Sequence, residues 1–248
     1  GTCRRRAGRS GTPPGLATVT RLSDIEARLR GMQELLQVVG AMRSLASMRV
    51  QEALRAVDSV RRYGSAMADA TAQALALASN REAAASPRGA PARAIVIFMS
   101  EQGFVGAYND KVLDTAALRA GAADNLFILG SRGAALLQEQ GHVPRWCHPM
   151  ATRLNGIPAM VRQLTAELYP LIALGTTTRA EAVFARYQRS GTPKMSRLVL
   201  YPLDLPPDAG ATAARGAPIH NLPPASLLEA LTGQYLFALL TEAGIESL

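Results

Sequence analysis

Residues 100–110 read SEQGFVGAYND, preceded by the apolar run ARAIVIFM and followed by KVLDTAALRAG. A strand, a loop with two glycines and a helix, in that order, is how many phosphate-binding sites begin, since glycine lets backbone amides approach an anion at a helix N-terminus. The ligands for that chemistry are missing. A P-loop needs a lysine and a hydroxyl directly after its last glycine, for the phosphates and magnesium, but Gly106 is followed by Ala107 and Tyr108. The dinucleotide fingerprint lacks its first glycine and an acidic residue closing the second strand. Gly103 and Gly106 are therefore expected to allow a tight strand-to-helix turn with close backbone approach, and Asn109 or Ser100 to cap the helix that follows.

His142, Cys147 and His148 raise a metal site as a second chemistry. Cys147 and His148 are strand neighbours and point to opposite faces, and no second cysteine or acid stands at ligand spacing. With Trp146 beside them the segment reads as packing, and no metal is expected. His220 lies in a loop and reads as solvated. Neither a G-x-S-x-G elbow nor a clear acid pair is present. No catalytic residue and no cofactor are assigned, and the chain is not expected to be an enzyme by itself or to have a small-molecule substrate of its own.

At 248 residues, 48% apolar and 19% charged, the chain has the composition of a soluble globular protein with room for one or two domains. It has no uninterrupted apolar run long enough to span a membrane. Cys3 and Cys147 are too few for a disulfide framework. Of the net charge of +8, half comes from Arg4, Arg5, Arg6 and Arg9. Residues 1–18 lack the apolar core of a signal peptide and the aromatics of a nucleic-acid arm, so they read as a disordered basic tail, with no nucleic-acid partner expected. Lys111 and Lys194 are the only lysines beside many arginines, a bias that lowers the weight of any single arginine.

Three kinds of element must position these residues. Residues 19–80 contain no proline and are rich in helix formers. Leu22, Ile25, Leu29, Met32, Leu36 and Val39 step by three and four, the seam of a coiled coil; the stripe then slides to Leu35, Val38, Met42 and Leu45 and on through Val50, Ala53, Val57 and Val60. Ser23 and Glu26 match a capping box. Sixty residues would make a rod of roughly 90 Å, which needs a partner helix. Residues 81–93 read as a linker. Residues 94–205 alternate strands and helices, with strands predicted at 94–99, 125–130 and 143–148, and helices at 109–119, 131–141 and 157–174. A hairpin at 181–188 and 195–202 should extend one edge of a largely parallel sheet, so this domain is Rossmann-like. Residues 206–222 read as loop, and 223–248 as the first part of an amphipathic C-terminal helix that opens on a second capping box, Ser226 and Glu229. The fold class is α/β: a long N-terminal coiled-coil helix, a Rossmann-like domain, and the start of a C-terminal helix that pairs with the first.

Four ordered segments resemble the γ subunit of F-type ATP synthases. IEARLRGMQELLQVVGAMRSLASMRVQEA is similar to that family's opening helix, through Arg28, Leu29, Met32, Val38, Ala41, Met42, Leu45, Ala46, Arg49 and Ala53. SEQGFVGAYND resembles its S-D-x-G-L-C-G-x-[FY]-N loop, at Ser100, Gly103, Gly106, Tyr108 and Asn109. FILGSRGAALLQEQG matches V-x-G-x-K-G at Gly130, Arg132 and Gly133, with Gly141 beyond. LPPASLLEALTGQYLFALLTEAGIESL is similar to the start of the family's C-terminal helix. Val105 replaces the loop cysteine, Gln37 and Gly40 stand where lysines are usual, and Glu34-Leu35 stands for Asn-Thr. The family's C-terminal helix runs on past this point, so the chain is expected to be incomplete there.

The resemblance implies a central rotor shaft that makes no bond itself. It would couple ion flow, of protons or of sodium, to ATP synthesis or hydrolysis on surrounding catalytic subunits. The implied partners are the α/β catalytic ring, the ε subunit and the membrane c-ring. The implied place is peripheral, on the cytoplasmic face of a bacterial inner membrane. Met42, Arg43, Leu45, Arg49 and Arg55 would form the shaft interface, and the glycine-loop residues a structural motif at its foot. A non-catalytic coiled-coil scaffold carrying a Rossmann-like domain is the alternative.

Overall fold

A computed structural model describes residues 22–78, 92–103, 105–118, 124–188, 193–205 and 219–248. The basic tail, residues 81–91 of the linker and residues 206–218 of the loop lie outside the described residues.

Helix α1 runs from Leu22 to Ala78, 57 residues without proline. Ser23 already lies within it, so the Ser23–Glu26 pair does not mark its start. The chain divides into two units, Gly1–Arg49 and Val50–Leu248. In the first, the apolar stripe is exposed, with Leu36 at 70% and Met42 at 67%. In the second, Val57, Gly64, Ala68, Thr71 and Ala74 form a buried face at helical spacing, with Ala53 and Val60 packed against the same core.

The sheet of the second unit has the order β3-β2-β1-β4-β5. Strands β1 (Ala92–Phe98), β2 (Asn125–Leu129), β3 (Trp146–His148) and β4 (Thr177–Arg186) are parallel, and β5 (Lys194–Tyr201) returns antiparallel on β4 as the expected edge hairpin. Strand β1 begins at Ala92, which pairs with Thr177, so Ala92 and Arg93 belong to the sheet and not to the linker. The third strand is shorter than the 143–148 read from sequence, because Val143 is exposed and Pro144 has no amide to give to a ladder. β4 starts at Thr177 instead of 181 and is buried on both faces over Ala182–Ala185, where simple alternation had been read.

Side chains alternate across the sheet into two cores. Ala94, Val96, Phe98, Phe127, Leu129 and Phe184 face helices α4 (Ile157–Ala173) and α5 (Pro224–Glu246). Ile95, Ile97, Met99, Ile128 and Val183 face α2 (Tyr108–Ala116) and α3 (Ser131–Glu139).

α5 departs from the amphipathic helix expected at the C-terminus. It starts on Pro223-Pro224 with no side-chain cap, and Ser226 and Glu229 lie inside it, exposed, so the second capping box does not form. Its second half buries residues around most of its circumference: Leu236, Ala238, Leu240, Thr241, Ala243, Gly244 and Ile245. The cause is cover from two sides. Gly244 packs on Ile157, Met160 and Phe98, while Ala238 approaches Gly64 of α1. A helix enclosed in this way has no need of a polar face there.

Candidate functional site

The turn between β1 and α2 uses its two glycines differently. Gly106 has φ +57, a left-handed conformation that favours glycine. Gly103 lacks that conformation, and a side chain at either position would meet open space, so the close backbone approach expected here is absent. It occurs at the next strand-to-helix turn. A Cβ at Gly130 would lie 2.4 Å from the Met99 carbonyl oxygen, and one at Gly133 would lie 2.2 Å from Met99 Cβ.

Asn109 does not cap α2, whose N-cap is Ala107 without a side-chain bond. It is buried, its Oδ1 accepts from the Ser100 amide at 3.0 Å, and its Nδ2 donates to Ser100 Oγ at 2.8 Å. The Asn109–Ser100 pair thus staples the two ends of the loop together. Tyr108 donates its hydroxyl to the Phe98 carbonyl at 3.2 Å. Burial pushes its phenol up to about 12, with the Ser247 hydroxyl pulling slightly the other way.

Glu101 reaches from this loop to the N-terminal end of α3. Its Oε2 accepts from the Ser131 amide at 2.9 Å and the Met150 amide at 2.8 Å, and its Oε1 accepts from Ser131 Oγ at 2.8 Å. Ser131 opens α3, so the positive end of that helix is neutralised by a carboxylate from the chain itself. Burial would raise the carboxyl, but these bonds and the nearby His148 outweigh it and hold the group below its ordinary value. The signal available in the sequence was an acid directly after β1, at the position of the aspartate in the resembling loop.

Among the described residues no group of three or more His, Cys, Asp or Glu side chains could hold a metal ion. Trp146 stacks on His148 at 5.4 Å and leans on Phe127, while Cys147 points the other way, exposed, its thiol raised by partial burial. His220 is exposed, as read from the sequence, with its Nδ1 2.9 Å from the Leu222 carbonyl oxygen.

The residues assigned to the shaft interface lie apart from the glycine loop in sequence and are exposed: Met42, Arg43, Leu45 and Arg49 in the first unit, Arg55 in the second. A polar cluster that the sequence did not disclose joins three elements of the second unit. Arg61 of α1 bonds Glu242 Oε1 at 2.8 Å and also reaches Glu246 Oε1, one turn further along α5. Arg186, the last residue of β4, stands 3.7 Å from Glu242 Oε1 and 3.5 Å from Glu246 Oε1, with its guanidinium over the Phe184 ring. The Tyr187 amide donates to Glu246 Oε2 at 3.1 Å. Burial raises the Glu246 carboxyl, and the two arginines oppose that rise without cancelling it.

The first unit carries a helix with an exposed apolar stripe, and the second packs a helix between α1 and a mostly parallel sheet. Residues 21–248 match the model of the ATP synthase family. The ATP synthase gamma chain of Chlorobium luteolum is 23% identical over 239 residues, which cover 87% of this chain and 77% of that relative. The central stalk and c-ring structure of the Tetrahymena thermophila mitochondrial ATP synthase contains a chain with this fold, at a TM-score of 0.59 and 12% identity, covering 85% of this chain and 92% of that one. This chain belongs to the ATP synthase family, and within it resembles the γ subunit.

Proposed function

We propose that the chain makes no chemical bond itself and acts as the mechanical link between ion flow and nucleotide chemistry. The α/β catalytic ring surrounds the helix of the first unit, and the sheet domain meets the ε subunit and the c-ring. The assembly is peripheral to the cytoplasmic face of a bacterial inner membrane. Rotation presents a different side of the shaft to each catalytic subunit and so shifts its conformational population through differential contact. Among the described residues no helix is long and apolar enough to cross a membrane.

The observation that carries this reading is the exposed stripe of the first unit. Leu29, Met32, Leu36, Val39, Met42 and Leu45 are all exposed on one helix. Burying a side chain of this kind stabilises by about 1.5–3 kcal/mol, so such a stripe calls for an apolar partner. Met42 and Leu45 supply its apolar contact, and Arg43, Arg49 and Arg55 the charge that faces the ring. Ser100, Gly103, Gly106, Tyr108 and Asn109 shape the foot.

The test is co-expression of a tagged chain with the α and β subunits from the same genome. The intact chain is expected to capture both. Leu36→Asp with Leu45→Asp should lose them, and Gly103→Ala should keep them. Failure of the intact chain to co-purify with α and β would sink the proposal.

A further inference from the structure

Where Gly64 meets Ala238, α1 and α5 touch through small residues. Val57, Val60, Ala53 and Ala56 of α1 pack on the common core, Tyr63 donates to Gln234 Oε1 at 2.9 Å, and Ala238 lies where a Cβ on Gly64 would touch it at 3.7 Å. Small side chains let helices approach closely, but they leave few deep holes to fix one helix axially against the other. Sliding α1 by one turn, about 5.4 Å, would bring Val60 or Ala68 to the place of Gly64 opposite Ala238.

The charge cluster does not tolerate such a slide. The Glu246 side chain is 3% exposed and accepts from Arg61 of α1 and from the Tyr187 amide beyond β4. Glu242, one turn earlier, shares Arg61 and Arg186 with it. A shift of α1 by one turn would carry Arg61 past this pair and leave a buried carboxylate short of its partner, an arrangement that buried charges strongly disfavour. Polar groups buried in helix pairs are best attested in this role, as devices that specify register.

We infer that Arg61, Arg186, Glu242 and Glu246 form a register lock, which holds α1 and α5 in one alignment and ties both to the end of β4, so that torque passes between α1 and the sheet. They are positioning residues. The role in turning rests on the rotor reading; the lock itself does not.

Two measurements separate these. The first uses the purified full chain with Cys3→Ser and Cys147→Ser. Gly64→Cys is combined with Ala238→Cys, the native neighbour, or with Gln234→Cys, one turn away, and oxidised with copper–phenanthroline. With the lock intact the native pair should cross-link in at least about tenfold excess, since its Cβ separation suits a disulfide. Glu242→Gln with Glu246→Gln should bring the ratio to within about threefold. An unchanged ratio overturns the lock. If that variant loses both cross-links and its helical circular dichroism, Arg186→Met, which leaves Arg61 on α5, is read by the same ratio.

The second measurement uses the assembled enzyme in inverted membrane vesicles. The double glutamine variant should hydrolyse ATP within about twofold of the parent, yet pump ions at least about fivefold less per ATP. Oxidising the Gly64→Cys/Ala238→Cys pair in that variant should restore pumping, and reduction should abolish it again. Undiminished pumping, or no rescue on oxidation, overturns the coupling role. If the parent chain supports no pumping at all, the rotor reading fails while the cross-link ratio still decides the lock.

Discussion

Arg61 and Glu246 meet across 185 positions of sequence, and they meet unequally: the glutamate side chain is 3% exposed and the arginine 46%. The buried partner depends on the exposed one. Removing Arg61 leaves Glu246 with Arg186 and the Tyr187 amide, a partial loss of pairing. Arg61→Met is therefore expected to destabilise the sheet domain by about 2 kcal/mol, below the usual cost of breaking a buried pair because Arg186 remains. In a chain of this size that is a fall of roughly 4–8 °C in the melting midpoint. Scanning calorimetry checks it, and an unchanged midpoint would show that the pair contributes nothing to stability.

Two carboxylates should respond to acid in opposite directions. Glu101 is held below its ordinary value in the folded chain, so its contribution is present above the unfolded-state value and is lost as pH falls through the folded-state value. The stability gap between the parent and Glu101→Gln, about 2 kcal/mol at neutral pH from its charge-assisted bonds, should close as the solution is acidified through the carboxylate range. Glu246 is raised by burial, so its contribution is present below the unfolded-state value and is lost as pH rises through the folded-state value. The parent should gain on Glu246→Gln over the same acidification. Parallel urea titrations of both variants across pH settle the signs, and two gaps moving together would contradict the assigned environments.

The glycines should separate into those that bend the chain and those that make room. Gly130→Ala combines φ +112 with a Cβ 2.4 Å from a backbone oxygen, and more than about 4 kcal/mol of destabilisation is expected. Gly133→Ala meets Met99 Cβ at 2.2 Å and should cost about 1–3 kcal/mol or more by overpacking. Gly106→Ala meets nothing but keeps a left-handed φ, a cost of roughly 1–2 kcal/mol, and Gly103→Ala should fall within about 0.5 kcal/mol of the parent. Thermal denaturation of the four variants gives the ranking directly.

Much of this architecture could be read in the residues themselves. AIVIF and LFIL are continuous apolar runs because parallel strands are covered on both faces, and the RSGTPK break marked the edge hairpin. Glu101, at the position of the aspartate in the resembling loop, crosses to the start of α3, a partner that the residues of SEQGFVGAYND do not disclose. What could not be read depended on distance in the chain. Arg61, Arg186 and Glu242 look like solvated helix-face and strand-end charges until the fold brings them together. α5 looked amphipathic because its first half is, and the two-sided burial of its second half exists only once α1 and the sheet are both in place. Glu181, buried mid-strand, takes Arg179 at 2.6 Å and Arg197 at 3.0 Å as partners, and only the register of the hairpin puts Arg197 within reach.

The most direct measurement of the central claim is rotation itself. Cys147 is exposed on the sheet domain and can carry a bead or a polarised fluorophore, with Cys3→Ser leaving it the single labelled thiol. In an immobilised complex of this chain with its α and β subunits, ATP should drive stepwise, unidirectional rotation of the probe that stops when ATP is removed. A complex that assembles and hydrolyses ATP while the probe stays fixed would contradict the account.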